Sequence, residues 1–354
     1  MFNMENEVCT AIGTPNKALV LYWGKRNPDL NLPINSSISI TLDETLNTKT
    51  SVLFSQKMAK DVMYLDGEHQ ELMAHPERKI SILRATLDEL RKRAGIKSHA
   101  LIVTRNSFPK SAGLASSASG AATFVYAASK ALGVELDEKE MSIMVRNISG
   151  SGCRSVFGGF SAWNKGVKAD GEDSYAYQVA DENHWPEFID VIGMVSAAKK
   201  KISTDDGHMI TARTSSLLKH RCIQADEYTQ KISDAIKKKD FDTVAHITMR
   251  DSNNTHAVML DSWPPVMYLQ DKSREVMEKV QELNESEGKT IAAYTFDAGP
   301  NPHIMTTRKH ERKVVELLNS VLGEGKHYVA GQGAGPRLLK DSDSLIDLDK
   351  LKPR

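Results

Sequence analysis

The order of apolar and polar positions predicts a chain in which strands and helices alternate. In the first third, short apolar runs rich in β-branched residues indicate strands. These runs cover residues 17–23, 36–42, 51–55 and 100–104. A helix is predicted over 78–96, where Ile80, Leu83, Leu87 and Leu90 recur at helical spacing and a glycine stands near the end. Two more helices are expected over 119–133 and 137–149.

The second half opens on an apolar run that predicts a buried strand over 187–196. Helical spacing of apolar residues then predicts helices over 211–238, 240–253, 273–286 and 310–323. Further strands are expected over 290–297, 303–308 and 327–331. Because both halves mix strands with helices, we expect an α+β protein of two domains, 1–185 and 186–354, with a cleft between them.

Composition narrows the class of protein. The 354 residues include 46 Lys and Arg and 46 Asp and Glu, so we expect no general attraction to nucleic acid or to an anionic membrane. No apolar run approaches the roughly 20 residues that span a bilayer, and the N-terminus does not read as a signal peptide. Cys9, Cys153 and Cys222 are too few and too scattered for a disulfide framework or a zinc site. These features predict a cytoplasmic protein without a bound metal.

Residues 108–124, FPKSAGLASSASGAATF, are unusually rich in Gly, Ala and Ser. A loop of small residues that leads into a helix leaves backbone N–H groups uncovered at the positive end of the helix dipole, where phosphate binds. Lys110 adds a charge, and Ser116, Ser117 and Ser119 add hydroxyl groups. It is not a Walker loop, because no Gly-Lys-Ser/Thr follows. An ordinary core helix capped by serine remains the alternative interpretation.

Three other segments carry donors or charge. NISGSGCRSVFGGFSAW places a flexible turn beside Arg154, which suits a phosphate or carboxylate held through two bonds. YWGKRN puts Lys25 and Arg26 directly after a predicted strand, and AYTFDAGPN leads an apolar strand into Asp297. If buried near the basic groups, Asp297 is a paired catalytic carboxylate. Each segment could instead be a surface hairpin, a solvated strand end or a turn.

Together these segments resemble one family closely. The small-residue loop matches the phosphate loop of the GHMP kinase superfamily, Pro-x-x-x-Gly-Leu-x-Ser-Ser-Ala. From about Cys9 to Pro336 the chain resembles the mevalonate diphosphate decarboxylases, through YWGKRNPDLNLPINSSISITL, FPKSAGLASSASG, SGSGCRSVFGG, DSNNTHAVMLDSWPP and AYTFDAGPNPHI. The resemblance implies a two-domain GHMP kinase fold, with a ribosomal-S5-like N-terminal domain and a GHMP C-terminal domain. It also implies a homodimer that decarboxylates a phosphorylated mevalonate in isoprenoid biosynthesis.

The resemblance further implies roles for individual residues. Asp297 matches the catalytic aspartate, Arg154 lies at the substrate phosphate or carboxylate, and Asn16 lies near the carboxylate. The implied substrate-binding residues, of which the first two lie on the 5-phosphate side, are Tyr22, Lys25, Ser149, Gly150 and Ser151. The residues implied to hold nucleotide phosphates are Lys110, Gly113, Leu114, Ser116 and Ser117.

Two departures from the family pattern bear on the reaction. Members usually read NIAxxKYWGKR, whereas NKALVLYWGKR places Leu21 where a lysine faces the aspartate and the transferring phosphate. Lys17 shares the strand face of Leu21 but lies about 13 Å away along an extended chain, so we do not expect it to replace that lysine. Asp205 and Asp206 add negative charge to a loop commonly rich in Ser and Thr, which should weaken binding of a polyphosphate.

Both departures disfavour phosphoryl transfer more than the elimination of phosphate and CO2. We therefore expect an ATP-independent decarboxylase that uses no cofactor and converts mevalonate 3,5-bisphosphate to isopentenyl phosphate. The alternative is a decarboxylase of mevalonate 5-diphosphate or 5-phosphate that uses ATP and Mg²⁺, which the intact phosphate loop favours. More distant alternatives are a mevalonate 3-kinase and a non-catalytic ligand-binding homologue.

Overall fold

The computed structural model describes residues 7–70, 78–108, 116–196 and 200–354. The strands are β1 (Val8–Gly13), β2 (Asn16–Val20), β3 (Lys25–Asn27), β4 (Leu32–Pro33), β5 (Ser37–Thr41), β6 (Thr48–Ser55), β7 (Val62–Leu65), β8 (Glu68–Gln70), β9 (His99–Asn106), β10 (Phe160–Trp163), β11 (Ala176–Ala180), β12 (Phe188–Gly193), β13 (Ala292–Thr295), β14 (His303–Thr307), β15 (His327–Ala330), β16 (Arg337–Leu338), β17 (Ile346–Asp347) and β18 (Lys352–Pro353). The α-helices are α1 (Arg78–Ala94), α2 (Ser116–Ala131), α3 (Glu138–Ile148), α4 (Thr204–Thr214), α5 (Leu218–Lys237), α6 (Phe241–Leu260), α7 (Asp271–Ser286) and α8 (Glu311–Leu322).

Three larger sheets organise these elements. The N-terminal sheet has the strand order β16-β1-β6-β9-β7-β8, the central sheet β11-β10-β5-β2, and the C-terminal sheet β13-β14-β12-β15. Neighbouring strands run antiparallel except β7 and β9, which are parallel. Helices and sheets in both halves of the chain confirm the expected α+β class.

Alternate residues of β9 show how the N-terminal sheet is covered on both faces. Ile102 belongs to the core that the sheet forms with α1, α2 and α3, together with Leu87 and Val125. Leu101 points to the other face, where the C-terminal segment supplies Ile346. Because side chains alternate between the two faces and both faces are covered, residues 100–103 of β9 are all apolar.

The central sheet joins the two halves of the chain. Ile38 and Ile40 of β5 belong to one core with Phe188 of β12 and with Ile232 and Ile236 of α5. This core includes residues from both sides of position 185. The division into 1–185 and 186–354 stays a prediction, and the interface between the two parts is apolar.

At two places the observed elements end before the predicted ones because side chains bind the backbone. The strand expected to reach residue 23 ends at Val20, since the Leu21 N–H donates to Asp251 Oδ2 at 2.7 Å and the Leu21 carbonyl accepts from Arg221 at 2.7 Å. The helix expected over 211–238 is interrupted between α4 and α5, where Asp261 accepts bonds from Ser215 Oγ and the Leu217 N–H.

None of the helices in the four described ranges is both long enough and apolar enough to cross a membrane. The three cysteines are free thiols, two of them buried.

Candidate active site

Strand β2 and the segment that follows β13 bring a buried lysine against a carboxylate. Lys17 Nζ lies 2.9 Å from Asp297 Oδ1. The lysine side chain is 1% exposed, whereas the aspartate side chain is 32% exposed. Asp297 comes two residues after the fully buried β13, which carries it from the core to an open edge. A carboxylate fixed on one side by a buried cation and open on the other can contact a ligand.

The electrostatic surroundings keep this carboxylate ionised. Burial by itself raises the pKa of Asp297, but Lys17, His303 and Lys200 together lower that pKa below its usual value. His303 lies within the C-terminal sheet, where its Nδ1 is 2.6 Å from the buried carboxylate of Asp190. Asp297 is therefore available as an anion at neutral pH.

The expectation that Lys17 lies too far away to serve this site is wrong. That expectation was based only on the distance between Lys17 and Leu21 along one strand. Asp297 follows a different strand, β13, and its carboxylate contacts the ammonium group of Lys17. The strand is also irregular, because the register of β2 on β5 shifts between Ala18 and Val20. Simple alternation therefore does not extend from Lys17 to Leu21.

Arg154 is a second buried cation, in the short 3₁₀ turn after α3. Its Nε donates to Ser39 Oγ at 2.9 Å, and its other nitrogens contact Ser37 Oγ and Asn16 Oδ1. No carboxylate within the described ranges forms an ion pair with Arg154. Burial lowers the pKa of Arg154, while the negative charge of Asp297 opposes that shift. A buried guanidinium held only by neutral groups suits an anionic ligand.

Asn16 connects the strand to this turn. Its Nδ2 donates to Ser155 Oγ at 2.8 Å and to the Ser151 carbonyl at 2.9 Å, and its Oδ1 accepts from Arg154. Since Asn16 and Lys17 are adjacent on β2, one strand positions both buried cations.

Tyr22 packs against the SGSG turn. A Cβ atom on Gly150 would lie only 3.0 Å from the Tyr22 ring, so the turn and the ring can approach this closely because residue 150 is glycine. On its other side Tyr22 stacks on His208, with ring centroids 4.4 Å apart, and His208 stacks on Trp23 at 4.2 Å. His208 Nδ1 accepts the Gly24 N–H at 2.8 Å and so carries no proton.

Lys25 forms the second lysine–aspartate pair of the site. Its Nζ lies 2.6 Å from Asp205 Oδ1. The lysine side chain is buried, whereas the carboxylate is about half exposed at the start of α4.

The structure describes only part of the small-residue loop. Lys110, Gly113 and Leu114 lie outside the described residues, and so does the side chain of Ser116. Ser117 is exposed in the first turn of α2, and Ser149 Oγ lies 3.4 Å from its Oγ. The expectation that Ser119 adds a ligand-facing hydroxyl group is wrong, because Ser119 is fully buried and bonds Thr48 Oγ1 at 2.7 Å.

Comparison with known proteins assigns the chain to a family. A model of the "Diphosphomevalonate decarboxylase-like N-terminal domain" matches residues 13–176, and one of the "Mevalonate 5-diphosphate decarboxylase C-terminal domain" matches residues 190–342. The diphosphomevalonate decarboxylase of Schizosaccharomyces pombe is 39% identical over 377 residues, which cover 96% of this chain and 95% of that protein. The chain belongs to the diphosphomevalonate decarboxylase family.

Solved structures of this family have the same fold. The mevalonate diphosphate decarboxylase from Enterococcus faecalis, described with mevalonate diphosphate-mediated ATP binding, is 32% identical, with a TM-score of 0.83 over 94% of this chain and 99% of its own. A structure with the same values is described as "MDDEF in complex with MVAPP, AMPPCP and Magnesium". The GHMP kinase fold is thus confirmed, and the protein is a carboxy-lyase that acts on a phosphorylated mevalonate.

These relatives overturn the expectation of ATP independence. They are diphosphomevalonate decarboxylases, and their structures are described with ATP or AMPPCP, so the preferred substrate, mevalonate 3,5-bisphosphate, and the absence of a cofactor were both wrong. The physical reason lies at β2. Position 21 holds Leu21 rather than the lysine of the family pattern, but a buried ammonium group, that of Lys17, still lies beside Asp297.

The structure links five of the predicted site residues by direct contacts. Asn16, Ser151 and Arg154 form one bonded group, and Gly150 joins this group to Tyr22. Asp297 reaches the group through Lys17, the strand neighbour of Asn16. Lys25 follows Tyr22 by three residues, so Lys17 and Lys25 lie near the two ends of one chain segment, residues 16–25.

Sequence reasoning missed several residues that surround the decarboxylase site. They are Lys17, Asp190, Lys200, His208, His256 and His303. His256 lies in the matched segment DSNNTHAVMLDSWPP, which was a usable signal. Burial lowers the pKa of His256 to about 4, so the imidazole is neutral at pH 7. Asp190 and His303 are 113 residues apart, and no local pattern indicates their pairing.

Proposed function

We propose that this protein catalyses the ATP-dependent decarboxylation of a 5-phosphorylated mevalonate. ATP phosphorylates the 3-hydroxyl group, and the 3-phosphate and CO2 then leave together to give an isopentenyl product, ADP and phosphate. Mevalonate 5-diphosphate is the substrate that the names of the relatives indicate. The 5-monophosphate is a second candidate, because Lys25 is already paired with the carboxylate of Asp205.

The observation that carries this proposal is the ion pair between Lys17 and Asp297. A carboxylate that takes up the 3-hydroxyl proton must be ionised, and Lys17 helps to keep the pKa of Asp297 low. The same buried ammonium group can stabilise negative charge on a phosphoryl group in transfer, an interaction that is strong where water is excluded.

Arg154 and its partners fit the second half of the reaction. The elimination leaves a phosphate dianion and removes the negative charge of the substrate carboxylate. Arg154 is buried and bonded to the neutral groups of Ser37, Ser39 and Asn16, so its positive charge can stabilise the leaving phosphate. Ser149 and Ser151 lie in the same turn, where we expect their donors to hold the substrate.

The described part of the nucleotide site fits a phosphate chain. A Cβ on Gly120 would meet nothing within 4 Å, and Ser117 is exposed, so one side of the start of α2 has room for a ligand. Within the described ranges, no group of three or more His, Cys, Asp and Glu residues could hold a metal ion. Magnesium bound with ATP takes most of its ligands from phosphate and water, so the site needs no such group. When bound, Mg-ATP would supply the phosphoryl group for the 3-hydroxyl.

One assay of the purified protein tests the proposal. CO2 release is measured with mevalonate 5-diphosphate and mevalonate 5-phosphate, each with and without Mg-ATP, and with mevalonate 3,5-bisphosphate alone. We expect CO2 only where Mg-ATP is present with a 5-phosphorylated substrate. Turnover of the 3,5-bisphosphate with no ATP-dependent release from the other two would contradict the proposal.

We further propose that the enzyme works as a homodimer in the cytoplasm. The family resemblance supports the dimer, and the three free cysteines fit a reducing compartment. Light scattering of the purified protein distinguishes a dimer from a monomer by mass.

A further inference from the structure

We propose that Asp205 is a specificity-determining residue that makes the enzyme discriminate against a 5-diphosphate relative to a 5-monophosphate. This inference rests on the proposed function, since it takes Lys25 as the residue that faces the 5-phosphate group. It goes beyond that function by assigning a role to a carboxylate that lies outside the reacting centre.

The contact between Lys25 and Asp205 is the first step of the argument. The lysine side chain is buried, and its ammonium group lies 2.6 Å from a carboxylate of the same chain. A phosphate that binds this lysine therefore comes close to the negative charge of Asp205 as well as to the positive charge of Lys25. Like charges at this range repel each other, and the repulsion grows with the charge of the ligand.

The position of Asp205 is set by the packing of α4 on the segment that carries Lys25. A Cβ on Gly207 would lie 2.5 Å from Tyr268 Oη and 3.1 Å from Trp23, so the helix rests directly on these rings. The next residue, His208, accepts the Gly24 N–H. These contacts to Tyr268, Trp23 and Gly24 hold the start of α4 against the segment that carries Lys25.

The two neighbouring carboxylates, Asp205 and Asp206, make different contacts. The backbone N–H of Asp206 donates to the Oγ of Ser203, the N-cap of α4, and its carboxylate accepts from the same hydroxyl group at 2.6 Å. Asp206 therefore supports the N-cap residue Ser203, and its negative charge lies at the favourable end of the helix dipole. Asp205 carries the same charge one residue earlier but contacts Lys25.

The direction of the discrimination follows from the two possible ligands. A 5-diphosphate carries more negative charge than a 5-monophosphate, and its distal phosphoryl group extends further from the reacting carbon. If Lys25 faces the 5-end of the substrate, this distal group comes closest to Asp205. The repulsion therefore acts more strongly on the diphosphate. Removal of the charge should improve use of the diphosphate selectively.

The test compares Asp205→Asn with the matched control Asp206→Asn, which removes the same charge from the same helix turn. The value of kcat/KM is measured with Mg-ATP for mevalonate 5-diphosphate and for mevalonate 5-phosphate. We expect Asp205→Asn to raise the diphosphate-to-monophosphate ratio about tenfold, which corresponds to about 1.4 kcal/mol. We expect Asp206→Asn to leave the ratio within about twofold of the original protein. Melting temperatures of both variants confirm that they fold.

An unchanged ratio in Asp205→Asn, or an equal change in Asp206→Asn, would overturn the proposal. Failure of the proposed function has a different signature, because the unmodified protein would then release CO2 from neither substrate. In that case, calorimetric dissociation constants of the two substrates replace kcat/KM. The same tenfold change in their ratio for Asp205→Asn supports the proposal, and its absence overturns it.

Discussion

Two lysine–aspartate pairs involve opposite ends of one chain segment, residues 16–25, and they differ in what the pairing does. In both pairs the lysine is buried and the carboxylate is partly exposed. At one end, Lys17 lowers the pKa of Asp297, the carboxylate that we propose accepts the 3-hydroxyl proton. At the other end, Asp205 occupies a lysine that we expect to bind the substrate.

The difference shows that one type of ion pair can have opposite effects on a ligand, depending on which of its two members the ligand contacts. Where the ligand meets the aspartate, the lysine supports the reaction. Where the ligand needs the lysine, the aspartate competes with it. The comparison therefore predicts that changes at the first pair alter kcat, whereas changes at the second pair alter KM and the choice of substrate.

The largest effect is expected at the reacting carboxylate. We predict that Asp297→Asn lowers kcat for mevalonate 5-diphosphate with Mg-ATP by about 10³-fold, because the amide cannot accept the hydroxyl proton. The measurement is steady-state CO2 release, with the melting temperature as a control for folding. Activity within tenfold of the original protein would remove Asp297 from the chemical step.

The next largest effect is expected at Lys17. We predict that Lys17→Met lowers kcat by about 10²-fold, since the charge beside Asp297 and the phosphoryl group is lost. The dependence of activity on pH gives an independent test of the role of Lys17. Asp297 has a lowered pKa, so activity should persist above that pKa and disappear as the pH falls through it. Without Lys17 this acidic limit should move to higher pH, because burial then raises the pKa with less opposition. An unmoved limit would contradict the assignment.

A double substitution tests whether the lysine has changed its position within the family pattern. Lys17→Ile with Leu21→Lys recreates the NIAxxK order of the relatives. We expect this variant to be about tenfold more active than Lys17→Ile alone, because a cation returns to the aspartate from position 21. No recovery, in a variant that folds, would show that the surroundings of Lys17 are specific to this chain.

A smaller effect is expected at the second pair. We predict that Lys25→Met raises KM for mevalonate 5-diphosphate about tenfold and changes kcat less than about threefold, since this lysine binds substrate away from the reacting atoms. Initial rates over a range of substrate concentrations separate the two constants. A loss in kcat as large as that of Lys17→Met would erase the distinction between the two pairs.

The sequence was sufficient for the fold class and for much of the candidate site, for identifiable reasons. Asp297 follows an apolar strand and Arg154 follows a glycine-rich turn, and such local patterns are visible in one sequence. The pairing of Lys17 with Asp297 joins residues 280 positions apart, through a strand whose register shifts between Ala18 and Val20. Neither the reach of a lysine side chain nor a bulge can be read from the spacing of residues on one strand.

The contact between Lys25 and Asp205 escaped prediction for a related reason. Both residues were noted for their charge, but their meeting depends on α4 packing against Trp23 through Gly207. The helix itself was expected to begin later, at residue 211, so the first turn that carries Asp205 was absent from the predicted elements.

The stoichiometry of ADP and CO2 tests the central claim most directly, that Lys17 and Asp297 together support phosphoryl transfer before decarboxylation. Both products are measured in the same reaction with mevalonate 5-diphosphate and Mg-ATP, for the original protein and for Lys17→Met. We predict one ADP for each CO2 in the original protein, and a loss of both products in parallel in the variant. Release of CO2 without ADP, or an unchanged rate of ADP formation in Lys17→Met, would contradict the account.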